Sequence, residues 1–319
     1  MPALLRLLAG FFLDQVLGDP PDRWHPVAWI GRLIDALERI FFPKVRNFKK
    51  EFVFGFIVVF LTVGGLGTGY YFLARFLRGV HPGLFWALEI YFIFHFLAFY
   101  TLSRRGREVK RSLEGGDLAA ARRKLRHLVG RDTAHLSERE MVRGTLESLA
   151  ENFSDGFVAP LFYIAIFGAL GGLVYKTINT LDSVLGHKDY RYYFFGFASA
   201  RVDDVASFIP ARLSVLFVAL AASVLGAFGR EAIESAWRDA RRHPSPNAGW
   251  PEAALAGALG VRLGGSNYYQ GKREDRPFMG EPRRELTPMR IDEALWALKV
   301  ASFLTMAVFA WIPIILVRL

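Results

Sequence analysis

The chain contains no cysteine. That excludes a disulfide framework, thiolate metal sites, a cysteine nucleophile and a CxxC redox pair, and it leaves the compartment open. Low-complexity tracts and internal repeats are missing. No Lys/Arg run is interleaved with aromatics, so nucleic acid is not an expected partner. There is no Ser-His-Asp order and no HExxH. The one segment that begins like a phosphate loop fails as a Walker A: that pattern needs Gly at 266 and Ser or Thr at 273, where this chain has Ser266 and Arg273. No alternating strand pattern of any length is visible.

Apolar surface is what the sequence has in quantity. Of 319 residues, 52% are hydrophobic and 29 are Phe, which excludes disorder and a fibrous repeat. Five stretches approach the ~20 apolar residues that cross a bilayer: Val53–Ala74, Leu84–Leu102, Phe157–Tyr175, Ile209–Phe228 and Leu295–Val317. The first carries no charge. Its Gly64-Gly65-Leu66-Gly67-Thr68-Gly69 run looks like a nucleotide loop but sits inside a span, where small residues let helices approach closely. Gly168 and Gly172 repeat that spacing. Residues 3–13 form a short apolar segment ended by Asp14, with no small-x-small cleavage site. It reads as a retained interfacial or partly inserted helix.

The net charge is +10, from 40 basic and 30 acidic residues. If all five stretches cross, residues 1–52, 103–156 and 229–294 share one side and hold 31 of the Lys and Arg, against 7 on the other. The positive-inside rule makes the basic side cytoplasmic. The expected fold is therefore all-α: a polytopic integral membrane protein, one membrane-embedded domain over 1–319, with about five transmembrane or re-entrant helices. Residues 103–156 are its helical cytoplasmic insertion (Arg104–Leu113, Asp117–Leu128, Ser137–Ala150, with Asp117 and Ser137 as N-caps). Residues 229–294 are its cytoplasmic loop region, opened by a helix over Glu231–Arg241.

Four polar clusters border the spans. Gly18–Val27 is a proline-rigid turn displaying Asp19, Asp22, Arg23 and His25; its plain alternative is a capped turn between helices. Glu147, Glu151 and Asp155 follow each other at i,i+4 and share a helix face with Asn152 beside them. Like charges on one stripe repel, and hard oxygen ligands of this kind suit Mg²⁺; a solvated acidic face is the alternative, weakened because the stripe runs into a span. The third cluster joins Asp182, Lys188, Arg191, Arg201, Asp203, Asp204 and Arg212. Asp203-Asp204 reads either as an N-terminal helix cap or as metal ligands, with the cations placed for phosphate. The fourth holds Asn247, Pro251 at the first position of an Ala/Gly-rich helix, then Arg262, the Gly264-Gly265 loop, Asn267 and Tyr268. Residue chemistry alone fits an ATP-using enzyme or an anion transporter.

The stretches GDPPDRWHPVAWIGRLI (18–34), ESLAENFSDGFVAPLFY (147–163), YKTINTLDSVLGHKDYRYYFFGFASARVDDVASFIPARL (175–213) and SPNAGWPEAALAGALGVRLGGSNYYQG (245–271) resemble the cobinamide-phosphate synthase (CobD/CbiB) family of cobalamin biosynthesis. They come in the family's order. One departure is small: Ser207 stands where that pattern carries Asn or a similar polar residue. The resemblance implies a multi-pass enzyme of the plasma or inner membrane, a carbon–nitrogen (acid–amine) ligase. It would join adenosylcobyric acid to aminopropanol or its O-phosphate with ATP and Mg²⁺. It leaves room for homo-oligomers or association with other corrinoid-pathway enzymes.

Activation of the carboxylate as an acyl phosphate is the expected route. Mg²⁺ is assigned to Glu151, Asp155, Asp203 and Asp204, with Glu147 as a further catalytic carboxylate. Phosphates go to Lys188, Arg191, Arg201, Arg212 and Arg262. Substrate falls to Asp19, His25, Asn152, Asp182, Asn247, Asn267 and Tyr268. The competing readings are a transporter or binding protein for an anionic, corrinoid-like ligand, and a diverged relative without activity. Strict crossing would put 176–208 opposite ATP, so either Phe157–Tyr175 is re-entrant or the clusters meet in a cavity within the bilayer.

Overall fold

The computed structural model describes residues 2–18, 20, 22–187 and 190–318. In chain order the helices are α1 (Ala3–Leu17), α2 (Pro26–Phe41), α3 (Phe48–Val80), α4 (Pro82–Phe96), α5 (Phe99–Glu114), α6 (Leu118–Leu125), α7 (Glu138–Phe153), α8 (Ala159–Leu185), α9 (Phe197–Ala206), α10 (Phe208–Val224), α11 (Gly229–Asp239) and α12 (Gly249–Leu259). A hairpin of β1 (Leu263–Tyr269) and β2 (Lys272–Met279) precedes α13 (Met289–Phe309) and α14 (Trp311–Arg318). Four helical stretches are long and apolar enough to cross a membrane: Phe48–Val80, Pro82–Glu114, Glu138–Leu185 and Met289–Leu316. The bent pair α9–α10 makes a fifth if it counts as one span. The protein is an all-α polytopic membrane protein, as composition and hydropathy require.

Two compact units divide the chain, each assembled from separated segments. The first comprises Met1–Ala98, Ala159–Ser207 and Val308–Leu319. Its centre is α8, which packs against α2, α3, α4, α9 and α14. Phe11, Ile34, Phe96 and Tyr175 are fully buried there. α1 runs through Asp14, expected as its end, to Leu17, and Asp14 is buried. α8 bends at Gly168, whose backbone (φ 67°, ψ −162°) is open to glycine at little cost. Gly172 lies against Ile164 and Phe96, 2.6 and 3.1 Å from where a Cβ would stand, so close approach explains it. The glycine run in α3 corrects the expectation of tight packing: no atom lies within 4 Å of a Cβ at Gly64, Gly65 or Gly69.

The second unit comprises Phe99–Val158 and Phe208–Ala307. α7 begins with a capping box formed by Ser137 and Glu140, and Asp117 caps α6, both as expected. Between α7 and α8, residues Ser154–Val158 form a π-helical turn. α12 is buried along its whole length. Its small residues allow that: a Cβ on Gly257 would stand 2.2 Å from the Glu231 carbonyl of α11. Pro251 is not the first residue of α12, which starts at Gly249 under an Ala248 cap; it still falls in the first turn, where its missing N–H costs nothing.

The hairpin contradicts the expectation of a strand-free loop region within 229–294. Its turn is Gln270-Gly271, both at positive φ (51° and 76°), the pairing that two-residue hairpins favour. Pro277 and the charged run Lys272–Arg276 hide β2 from pattern reading, and a bulge at Gly264 breaks the alternation in β1.

Candidate functional site

In the second unit, α7 carries Arg143, Glu147 and Glu151 on one stripe. Because α7 is buried all round over 141–150, the first two are inside the protein. Glu147 is neutralised there by Arg131, from the loop before α7: the Arg131 Nη2 donates to its Oε2. The other oxygen, Oε1, accepts the Gly264 N–H at 2.8 Å. Asn267 Oδ1 accepts from Arg131 Nη1 at 2.7 Å and from Arg143 Nη2 at 2.9 Å. Arg143 also donates to the Gly264 and Ser266 carbonyls. By sequence the Gly264-Gly265 segment reads as a loop whose backbone could approach a phosphate. Instead its backbone is stitched to α7. Both glycines have positive φ, and a Cβ on Gly264 would stand 2.2 Å from the Pro277 carbonyl. The same hairpin is tied to the loop before α7 by Asp132, which accepts the Gly271 N–H at 2.8 Å.

Glu252, in the first turn of α12, is only 1% exposed. Its Oε1 lies 3.7 Å from His243 Nε2. Burial, reinforced by the Glu147 and Glu151 carboxylates, pushes its pKa well above the ordinary carboxylate range. Burial also depresses Arg276, but Tyr269, Glu252, Glu151 and Glu147 more than offset it and hold its pKa up. Three carboxylates and three guanidiniums therefore share one region of this unit. Arg131, Arg143, Glu252, His243 and Arg276 were not singled out from sequence. They are marked by tertiary contacts, Arg131 with Glu147 and Asn267, Arg143 with Asn267 and His243 with Glu252, which no helix or strand spacing reports.

Arg212 and Asn247, both sequence candidates, do meet: Arg212 Nη1 donates to Asn247 Oδ1 at 3.1 Å and to the Phe208 carbonyl at 2.7 Å. The guanidinium lies over the Phe208 and Trp250 rings. They border a groove of about 740 Å³ with Trp237 and Arg241 on its wall. Arg262 lies over the Phe278 ring instead, at 4.3 Å. Tyr268 is half-exposed on β1, and Asn152 donates to the Ser148 carbonyl at 2.9 Å. Glu151 is exposed and Asp155 half-buried in the π-helical turn, which moves Asp155 off the regular i,i+4 stripe.

The first unit holds the remaining candidates. Asp203 is buried near the end of α9, not at a helix start, so the capping alternative is excluded for it and Asp204. It accepts from Asn179 Nδ2 at 3.4 Å and Ser207 Oγ at 3.5 Å. The Ser207 hydroxyl, which in turn meets Tyr175 at 3.1 Å, thus does serve as a polar partner. The Asp182 and Asp204 carboxylates act on Asp203 electrostatically. Gly186 makes room for Asp182, whose Oδ1 would be 1.9 Å from a Cβ there. Arg201 pairs with Asp204 at 3.4 Å, and Arg191 with Glu38 at 2.8 Å. His25 caps α2, accepting the Val27 N–H at 3.2 Å, as in the plain structural alternative. Asp19 and Lys188 lie outside the described residues, as does the side chain of Asp22.

Among the described residues no three His, Asp or Glu side chains form a group that could hold a metal ion. The donor set fits Mg²⁺ that arrives with nucleotide phosphates, which needs one or two carboxylates, and does not fit an all-protein cage.

The class that the fold and site define is an all-α polytopic membrane protein, one unit of which holds a buried acid–base centre and an aromatic, arginine-bordered groove. Comparison gives the particular family. The model of the CobD/CbiB protein family matches residues 7–298, and the chain belongs to that family. It is 43% identical over 308 residues to a cobalamin biosynthesis protein CobD of Klebsiella pneumoniae, covering 96% of each chain. It is 41% identical over 309 residues to a CbiB of Salmonella paratyphi B, again over 96% of each. A CobD of Photorhabdus laumondii is 40% identical over 313 residues, 97% of each. No solved structure matches the chain.

Proposed function

We propose that the protein is an ATP-dependent ligase of cobalamin biosynthesis that forms the amide between adenosylcobyric acid and aminopropanol or its O-phosphate. Full-length family membership carries this reading and supports the biosynthetic role. The acid–base centre and the Arg212–Asn247 groove supply the kinds of group that the reaction needs.

Amide formation from a carboxylate and an amine in water is uphill, so the carboxylate needs activation. A carboxylate oxygen attacks the terminal phosphorus of ATP. An acyl phosphate forms and ADP leaves. The amine, having given up its proton, attacks the acyl carbon, and phosphate departs with the former carboxylate oxygen. Mg²⁺, held by Glu151 and Asp155 in one unit or Asp203 and Asp204 in the other, would neutralise phosphate charge when bound. Arg212, with its plane fixed by Asn247, the Phe208 carbonyl and two rings, is pre-set to receive an anionic oxygen. Arg191 and Arg201, paired with carboxylates, would have to exchange partners to do so. Cytoplasmic placement of the basic side follows from the charge bias and belongs to this proposal.

The test is mass spectrometry of detergent-purified protein incubated with adenosylcobyric acid, aminopropanol phosphate, ATP and Mg²⁺. A condensed corrinoid that needs ATP is the expected product. Bound corrinoid with no product would favour the transporter or binding-protein reading instead.

A further inference from the structure

Four buried polar atoms of the acid–base centre have no hydrogen-bond partner: Arg131 Nε, Arg143 Nε, Asn267 Nδ2 and Glu252 Oε1. Their residues are 7%, 8%, 1% and 1% exposed. Protein interiors pair the large majority of buried side-chain polar atoms, so four in one neighbourhood call for an occupant. Their chemistry is sorted. Three are donors, carried by two guanidiniums and an amide that are already bonded to each other through Asn267 Oδ1. The fourth is a carboxyl oxygen. Glu147 and Glu151 face it from α7, Arg276 and Arg131 from β2 and the loop before α7, and His243 from the residues before α12. Glu147 is committed at both oxygens to Arg131 and Gly264, whereas Glu252 Oε1 has no hydrogen bond and lies 3.7 Å from His243 Nε2.

We propose that this centre binds a small molecule with an ammonium group at one end and an acceptor-rich oxygen group at the other, the ammonium on Glu252 and the oxygens on the Arg131, Arg143 and Asn267 donors. On the ligase reading, on which its assignment as substrate rests, that molecule is the attacking amine. Glu252 is then also its base. Burial favours the neutral form of Glu252, and an ammonium held beside it favours the carboxylate, so binding shifts the group towards releasing its proton to water and leaving a carboxylate–ammonium pair. The ammonium first passes one proton to the Glu252 carboxylate, which frees the nitrogen lone pair; that lone pair forms the C–N bond as the acyl–oxygen bond breaks, and the second nitrogen proton leaves with the departing phosphate. Charge and protons balance, with one proton released to water on binding, one returned to Glu252 and one carried off by the phosphate.

The experiment uses the purified full-length chain with three probes: aminopropanol phosphate, aminopropanol, and propanediol phosphate, which lacks nitrogen. Calorimetry in two buffers of different ionisation enthalpy reads proton release on binding. Steady-state assays read KM for amine and for corrinoid. The wild type is expected to bind the amines with net proton release and to bind propanediol phosphate more weakly. Glu252→Gln, nearly isosteric with the neutral acid, should fold normally and raise the amine KM about tenfold or more while leaving the corrinoid KM unchanged. Asn267→Asp keeps Oδ1 and removes the open donor, so it should weaken aminopropanol phosphate more than aminopropanol. An unchanged amine KM in a well-folded, product-forming Glu252→Gln protein overturns the proposal and leaves a water-filled structural centre, with the ligase reading intact. Amine binding that Glu252→Gln abolishes, in a wild type that makes no product, keeps the site and overturns the ligase. No amine binding by the wild type overturns the site.

Discussion

Glu147 shows how a carboxylate that needs a cation finds one outside its own helix. The i,i+4 acidic stripe called for neutralisation, and Mg²⁺ was the obvious candidate. At Glu147 the protein supplies Arg131 instead. Removing one partner of a buried pair strands the other charge, at a cost of about 3–5 kcal/mol. Glu147→Ala should therefore lower thermal stability steeply, whereas Glu151→Ala, at an exposed position, should change the melting temperature little and turnover greatly. Equal stability losses at the two positions would contradict this division. Asp239 gives a pH signature of the opposite sign to Glu252. Burial alone would raise its pKa, but Arg238 and the Gly280 N–H outweigh that and hold it below the ordinary value. Its contribution is present above the unfolded pKa of ~4 and is lost as pH falls through the folded pKa. Glu252, raised, contributes fully below ~4.5 and loses that contribution as pH rises towards its folded pKa. Asp239→Asn should flatten the acid limb of the stability profile, and Glu252→Gln the limb above it, both measured by thermal unfolding against pH.

At the scale of elements, the glycines separate conformation from contact. At Gly64 there is open space and ordinary helix, so alanine there should be neutral or slightly stabilising, in line with helix propensity. Gly168 (φ 67°, ψ −162°) lies in a region essentially reserved for glycine, and a Cβ there would stand 3.3 Å from Glu89 Oε2, so alanine should cost about 1–3 kcal/mol. Gly264 needs positive φ and has a backbone carbonyl 2.2 Å away, so alanine should unseat the hairpin and with it Arg143 and Glu147. The order of losses, Gly64 least and Gly264 most, is checked by unfolding of the three variants. The helices were legible because hydropathy and caps are local signals: Asp117 and Ser137 cap as read, and the apolar stretches are helical. The hairpin was not, because its pattern is broken by a bulge and its register is held by Asp132 and Arg143 from far along the chain. The site was half legible for the same reason. Arg212, Asn247, Asn267 and Glu147 carry local marks, whereas Arg131 and Glu252 acquire meaning only through tertiary contact.

At the scale of the whole molecule, the charge bias of 31 basic residues against 7 fixes an expected orientation. The ligase reading needs the phosphate-binding block on the side where ATP is found. Lys188→Cys, on a chain with no other thiol, should resist an impermeant thiol reagent added outside intact cells and react once the membrane is opened. Labelling from outside would put 176–208 on the far side and remove Lys188, Arg191 and Arg201 from contact with ATP.

The central claim is that the protein activates a carboxylate by phosphoryl transfer and then makes an amide. Adenosylcobyric acid labelled with ¹⁸O in the reacting carboxylate tests both halves at once. Mass spectrometry of the released phosphate should find one labelled oxygen for each amide formed. Amide with unlabelled phosphate, or labelled substrate returned unchanged in the presence of ATP and amine, would contradict it.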